Sequence, residues 1–521
     1  MDCARIFDAV IIPGGPLMQT RRLDMNPQFD FSPVSLGYIG ALRHVRPRRR
    51  GSSFAYALAE CRDFDALTGL AASNPEGHFY GLVEGEPEKT AATRLAEARG
   101  VRNVTFLAGS LGALVAAVED GVSPLPPLQY LCCDERDAPL APDAREDLFA
   151  LAAKLLLPGG MFGYGYRAYA EADDSLHFLV QEFAPEMDVA QAEEFLGELK
   201  RLGPLYFGGH PEAAARIDRA IRDRQPDYFF SVYDGAARSA TFDTITALRP
   251  RGFVYIGDAE PAMNYVELAA PPSSHRLILE CRDNPLYETI KDFALNRLER
   301  CDVWCKPPAE AGDDPAELFG GFAFGIVKTR DEVPGRIETR GEPIDLRTPL
   351  FAKLIDLMTL IPLGIGDFLL HPDGQGFAPA DVMAAMQILV AGGIARPMRG
   401  HSGLDQPIDS ARPRLSGSYN RYLDQTPVTA ADVLLASPII GSAVTVPPRE
   451  ALVMQALDRA GLADSVSALL PELQRLAKNP VTAARVMDSA EPTPETAQHI
   501  IKDVVAQSMV QWYAYGLVAA A

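Results

Sequence analysis

Between Phe54 and Tyr166, runs of strand length alternate with runs of helix length, and this alternation restricts the fold more than any other feature of the chain. Phe54–Leu58, Phe79–Val83, Asn103–Leu107, Leu128–Cys133 and Met161–Tyr166 are apolar and read as strands. Thr90–Arg99 reads as a helix stopped by Gly100, and Asp143–Leu157 as a second, with Leu148, Leu151, Leu155 and Leu156 recurring along it. Pro158-Gly159-Gly160 is expected to end that second helix. Repeated strand–helix–strand units with short connections predict an α/β domain with a mostly parallel sheet covered on both faces. Right-handed crossovers then gather the ends of the first, second and fourth strands around one crevice.

The first turn of that frame is unusual. Ala59-Glu60-Cys61-Arg62-Asp63-Phe64-Asp65 contains no glycine, and none occurs between Gly51 and Gly69. In doubly wound domains glycines in this turn let the backbone bend sharply and approach a ligand with no Cβ in the way. The second strand does end in an acid, Glu84. The frame of a ligand-binding α/β domain is thus present without its glycines.

Size and charge bound the rest. A chain of 521 residues predicts two to four domains. A formal net charge of -20 argues against a general nucleic-acid binder, since phosphate contacts need clustered positive charge. The basic run Arg43–Arg50 reads as a solvated loop leading into the first strand, with an anion-binding arm as the alternative. Seven cysteines make no disulfide framework in a chain this long and suit a reducing cytoplasm. Cys132 and Cys133 lie in an apolar strand and read as buried thiols; Cys301 and Cys305 have no second pair, so no zinc site is expected. None of the eight histidines pairs at metal or triad spacing, and neither a nucleophile elbow nor a P-loop occurs. No metal ligands and no catalytic residues are assigned. A cytoplasmic protein without signal peptide or membrane span is expected; Leu354–Leu370 comes nearest to a span but carries Asp356 and Asp367.

Four regions follow from the pattern: an α/β domain over 1–205, a compact mixed unit over 206–306, a Gly-, Pro- and acid-rich linker or surface excursion over 307–345, and a mainly helical domain over 346–521. Helices are expected at 188–202, 211–224, Leu350–Leu360, Pro379–Ala391, Pro448–Ala460 and Pro494–Tyr515.

Several segments carry a family resemblance: Ala71-Ala72-Ser73-Asn74-Pro75-Glu76-Gly77-His78-Phe79, Glu84-Gly85-Glu86-Pro87-Glu88, Asn103-Val104-Thr105-Phe106 with Ser110, and Leu155-Leu156-Leu157-Pro158-Gly159-Gly160. Asp292-Phe293, Asn296-Arg297, Arg300 and Asp302 extend it, as does Leu435-Ala436-Ser437-Pro438 with Gly441. In this order they resemble class I S-adenosylmethionine-dependent methyltransferases that carry a methyltransferase regulatory domain, a bacterial branch that includes protein-lysine methyltransferases. The resemblance implies a Rossmann-like methyltransferase domain, a small mixed regulatory domain and a helical C-terminal region. It also implies S-adenosylmethionine as cofactor, Glu84 on its ribose, and Glu60, Arg62 and Ser110 as remnants of its site.

The departures matter equally. Where the family loop reads E-x-G-x-G-x-G, this chain has Leu58 for the acid and Glu60, Arg62 and Phe64 for the glycines. Asp134–Pro139, Gly165-Tyr166-Arg167 and Ser231–Gly235 replace three further ligand- or substrate-facing motifs. Methyl transfer chiefly requires alignment of nucleophile, methyl and sulfur, and hence a tight cofactor pocket. A Glu60 carboxylate about 4 Å from the cofactor's own carboxylate would cost on the order of 4 kcal/mol at an effective dielectric near 20. Arg62 could offset that charge, while Phe64 adds bulk where a missing Cβ is needed.

Three functions are therefore expected to compete: a degenerate methyltransferase serving as a regulatory or binding scaffold, an active enzyme modifying a protein side chain (lysine) or a small molecule, and an interaction protein working through its helical region. The acids Asp134, Glu135 and Asp137 read as a base cluster or a solvated loop, as do Glu171, Asp173 and Asp174. A protein partner or substrate is expected. The apolar end Met509–Tyr515 reads either as a homo-oligomer contact or as a helix folded back on its own core.

Overall fold

The computed structural model describes residues 31–46, 51–136, 138–168, 240–282, 287–308, 314–328, 330–340, 342–399, 412–429, 431–488 and 490–520, with residues 284 and 312 and scattered positions between 191 and 222. Asp137, Glu171, Asp173, Asp174, Ser231–Gly235 and most of the expected helices at 188–202 and 211–224 lie outside them.

Helix α1 (Pro33–Leu42) opens the described chain, and Ser32 caps it by accepting from the Ser35 N–H. It is apolar all round and accordingly buried on nearly every side. The expected alternation follows as β1 (Phe54–Ala59), α2 (Phe64–Ala72), β2 (Gly77–Val83), α3 (Glu86–Ala98), β3 (Val104–Ala108), α4 (Leu111–Glu119), β4 (Leu128–Asp134), α5 (Pro142–Leu155) and β5 (Leu156–Arg167). β1 pairs parallel with both β2 and β4, β2 with β3, and β4 with β5. Successive residues point to opposite faces, as the strand pleat requires. Tyr56, Leu58 and Cys132 enter one core with α2, whereas Ala57, Ala59 and Cys133 enter another with α4 and α5.

The segment after 239 completes the same sheet. Helix α6 (Ala240–Leu248) precedes β6 (Val254–Asp258), and helix α7 (Tyr287–Leu295) precedes β7 (Glu299–Cys305). β7 lies antiparallel to β5, from Met161↔Cys305 to Arg167↔Glu299, and β6 closes the edge against β7. The seven strands run β3-β2-β1-β4-β5-β7-β6. Strand order reverses between β1 and β4, and in open sheets of this kind ligands bind outside the strand ends at that reversal.

The C-terminal part is mainly helical, with α8 (Pro349–Met358), α9 (Pro379–Ala391), α10 (Pro448–Leu476) and α11 (Pro494–Ala514). Gly461 interrupts α10 with φ 69° and ψ 176°, a conformation open to glycine. A hairpin of β8 (Val433–Ser437) and β9 (Ser442–Val446) packs on α2 through Ala443 and Ala66. Met509, Trp512, Tyr513 and Tyr515 are buried in the chain's own C-terminal core. Among the described residues no helix is long and apolar enough to cross a membrane, and no group of His, Cys, Asp or Glu could hold a metal ion.

Candidate functional site

The crevice at the strand-order reversal is rimmed by three turns held level along one sheet edge. The Cys61 N–H donates to the Leu82 carbonyl at 2.8 Å, and the Gly109 N–H donates to that of Val83 at 3.1 Å. The turn after β1, the Glu84 corner and the turn before Ser110 therefore share one mouth. Ala59 stands beside Cys133 in the parallel register, so Asp134 and Glu135 follow on the other side.

The glycine-free turn keeps a glycine-like backbone. Glu60 has φ 52°, in the left-handed region that L-residues enter at about 1–2 kcal/mol. Its carboxylate lies 4.0 Å from the Arg62 guanidinium, and both side chains are part-exposed. Cys61 is buried, and burial, then the Asp63 charge, push its thiol far above its ordinary range. Asp63 caps α2 by accepting from the Ala66 N–H at 2.9 Å. The ring of Phe64 meets Phe106 edge-on at 5.9 Å and packs against the core. Its bulk thus goes into the fold, and crowding of the turn rests on Glu60 and Arg62.

The other expected site residues divide. Glu84 is exposed just past the end of β2, and among the described residues no side-chain hydrogen bond or ion pair engages it. The Ser110 hydroxyl is engaged: it caps α4 by accepting from the Ala113 N–H at 3.2 Å.

Of the acids at and beyond the end of β4, the two described, Asp134 and Glu135, are both paired. Arg136 donates to both oxygens of Asp134, at 2.9 and 2.8 Å. Glu135 is 3% exposed. It accepts from the Leu140 N–H at 2.6 Å, from Arg145 at 3.0 and 3.3 Å, and from the Tyr164 hydroxyl. Burial, followed by the charges of Glu135, Glu60 and Asp134, keeps Cys133 protonated well above the usual thiol range. A thiol so placed is no nucleophile at neutral pH.

At the far end of the sheet a second set of charges is wholly buried. Arg300, 0% exposed, donates to Asp292 at 2.6 Å, Asp302 at 2.8 Å, Glu288 at 2.9 Å and the Tyr255 hydroxyl at 2.8 Å. The Tyr166 hydroxyl brings β5 into the network by donating to Asp302 at 2.7 Å, and Thr241 brings α6 in by donating to Asp292 at 2.9 Å. Arg297 pairs with Asp258 at 2.5 Å and Lys291 with Glu288 at 3.1 Å. Burial opposes ionisation of Glu288, but Lys291 and Arg300 overcome it and hold the carboxyl down to about 2. At Asp302 burial outweighs Arg300 and pushes the carboxyl up to about 6.

The sequence profile of a family described as a predicted methyltransferase regulatory domain matches residues 239–306, the segment that holds this network. The structure of PKMT2 from Rickettsia typhi superposes with a TM-score of 0.61 at 14% identity, covering 94% of this chain and 99% of that one. The same protein in complex with AdoHcy gives 0.62 at 14% identity, over 94% and 98%. No curated protein matches the chain. The chain has a Rossmann-like methyltransferase fold, and its residues 239–306 match the regulatory-domain profile.

Within that fold the resemblance segments fall where elements join. Asp292, Arg297, Arg300 and Asp302 are the core of the buried network. Asn103 ties the α2–β2 turn by donating to the carbonyls of Ala71, Asn74 and Gly77. Ser73 and Asn74 meet Ser437 and Gly441 across the seam with the C-terminal part. The residues that complete these sets, and that the sequence does not mark as partners, are Tyr166, Tyr255, Glu288, Arg145 and Tyr164. None carries a local signal, because each acts across more than eight residues of chain or between elements.

Proposed function

We propose that this methyltransferase-fold chain is a degenerate methyltransferase, a scaffold that no longer grips S-adenosylmethionine in the usual pose. One observation carries the reading: at the three positions where the family loop has glycine, the turn after β1 carries Glu60, Arg62 and Phe64, with Glu60 in the left-handed conformation. S-adenosylmethionine fits this turn poorly. The backbone cannot be approached past the Cβ of Glu60, and the Glu60 carboxylate would face the methionyl carboxylate. Arg62 already sits 4.0 Å from Glu60 and offsets that charge in part. Across the crevice, Asp134 and Glu135 are taken up by Arg136 and Arg145, which leaves neither as a base for an amine nucleophile. The sheet, the seam and the regulatory network remain fully engaged, as a binding or regulatory scaffold requires.

A second reading is favoured by Glu84. It is exposed and, among the described residues, unengaged just past the end of β2, where the resemblance puts the ribose-binding acid, and PKMT2 of the same fold has been seen with AdoHcy. On that reading the chain is an active methyltransferase with an altered loop, acting on a protein side chain or small molecule. Calorimetric titration separates the two. The scaffold reading expects no heat with S-adenosylmethionine or S-adenosylhomocysteine at several hundred micromolar. Micromolar binding that is abolished by Glu84→Ala would establish the second reading instead.

A further inference from the structure

We infer that the C-terminal part fixes the conformation of the turn after β1, acting through both ends of α2. The helix is gripped along its whole length. In its first turn Asp65 accepts from the Tyr419 hydroxyl at 2.9 Å and pairs with Arg99 at 2.7 Å. Arg99 is itself held between two rings, 4.6 Å from the centroid of Tyr419 and 4.7 Å from that of Tyr422. Midway, a Cβ on Gly69 would lie 3.0 Å from Ala443 and from the Tyr419 hydroxyl, so helix and hairpin touch with no slack. At the far end the Ser437 N–H donates to the Ser73 hydroxyl at 3.1 Å. Asn74 donates to the Gly441 carbonyl at 3.0 Å and accepts from Arg399 at 2.7 Å. The Ser437 hydroxyl reaches on to the Tyr515 carbonyl at 2.6 Å, which ties the end of α11 to the same seam.

Only Asp63 and Arg62 separate this gripped helix from Cys61 and the left-handed Glu60. A non-glycine residue persists in that conformation only where its surroundings over-determine it. On the other side the turn is fixed by β1 and by the Cys61 N–H bond to Leu82. The α2 side is therefore the adjustable constraint. Loosening the seam lets α2 shift, Glu60 relax to negative φ and the Cys61 bond open. The crevice mouth is in this way coupled to whatever holds or displaces the Tyr419–Tyr422 corner. The inference concerns the turn with nothing bound and is independent of whether S-adenosylmethionine binds.

Hydrogen exchange on the full chain tests it, read in peptides covering 59–63, the seam around Ser437–Gly441, and β4 as a reference for global opening. Tyr419→Phe removes one hydroxyl and keeps the ring; Arg399→Ala loosens the opposite end of α2. Each is expected to speed exchange in 59–63 by about tenfold with β4 unchanged. In a Glu60→Gly background, where the left-handed conformation needs no support, the same substitutions are expected to alter 59–63 by less than about twofold. Faster exchange at the seam with 59–63 unmoved would overturn the inference, as would equal acceleration with and without Glu60→Gly. No change at either place would overturn it too.

Discussion

The two ends of the seven-stranded sheet handle charge in opposite ways. At the crevice, Glu60–Arg62 and Asp134–Arg136 pair residues two positions apart, part-exposed or near the surface, and Glu135 reaches Arg145 beyond its own turn. At the β5–β7–β6 end, Arg300 is fully buried and joins residues from β6, β7 and α7, and Tyr166 of β5 reaches the same network through Asp302. Removing a crevice pair leaves the elements where they are. Removing Arg300 leaves the buried Asp292 and Asp302 without the guanidinium that pairs with them, and Glu288 with Lys291 alone. The resemblance follows this division in part: Asp292, Arg297, Arg300 and Asp302 sit in the buried network, whereas the departures at Glu60, Arg62 and Asp134 sit at the crevice.

The largest effect is expected from Arg300→Met. Stranding buried carboxylates typically costs about 3–5 kcal/mol, which urea unfolding would resolve easily. A loss below about 1 kcal/mol would erase the contrast between the two ends.

Next in size is a pH effect at Asp302. Its carboxyl is pushed up to about 6, chiefly by burial, against an unfolded value near 3.9. A carboxyl that binds its proton more tightly when folded contributes its full stability below about pH 4 and loses it as pH rises through about 6. The stability difference, wild type minus Asp302→Asn, is therefore expected to fall by about 2–3 kcal/mol from pH 4 to pH 7. Urea midpoints at pH 4, 5, 6 and 7 would reveal a flat or rising difference if the buried network is arranged otherwise.

Glu60→Gly should have a smaller effect of the opposite sign. Relief of the left-handed conformation outweighs the added freedom of the unfolded chain, for a net gain of about 0.5–1 kcal/mol in thermal or urea unfolding. Destabilisation there would mean the Glu60 side chain makes contacts that matter more than its backbone. Smallest of all, Arg62→Ala should change stability by less than about 0.5 kcal/mol, since an exposed pair at 4.0 Å holds little together. A change several times larger would place the crevice rim on the same footing as the buried network.

Much of the sheet was legible because β1 to β5 are apolar runs bounded by clear stops. Two features were not. Helix α4 (Leu111–Glu119) has almost no polar face, so its period is silent, and its one local signal was the capping serine, Ser110, which the resemblance drew toward the cofactor instead. β5 begins at Leu156 and runs straight through Pro158-Gly159-Gly160, residues that read as a stop. Tertiary pairing overrides them: the Gly159 N–H donates to the Lys306 carbonyl at 2.7 Å, and the Lys306 N–H to that of Gly160 at 2.9 Å. At the crevice, the absence of glycine was plain from sequence. The left-handed φ of Glu60 and the turning of Phe64 onto Phe106 were not, because a backbone angle and a contact between α2 and β3 carry no signal in the local sequence.

A crystal structure from protein soaked in millimolar S-adenosylhomocysteine tests the central claim most directly. The turn from Ala59 to Asp65 is expected to keep the conformation described above, with Glu60 and Arg62 still paired and no ligand density between Glu60 and Glu84. Density for the ligand lodged there, with its ribose on the Glu84 carboxylate, would contradict it.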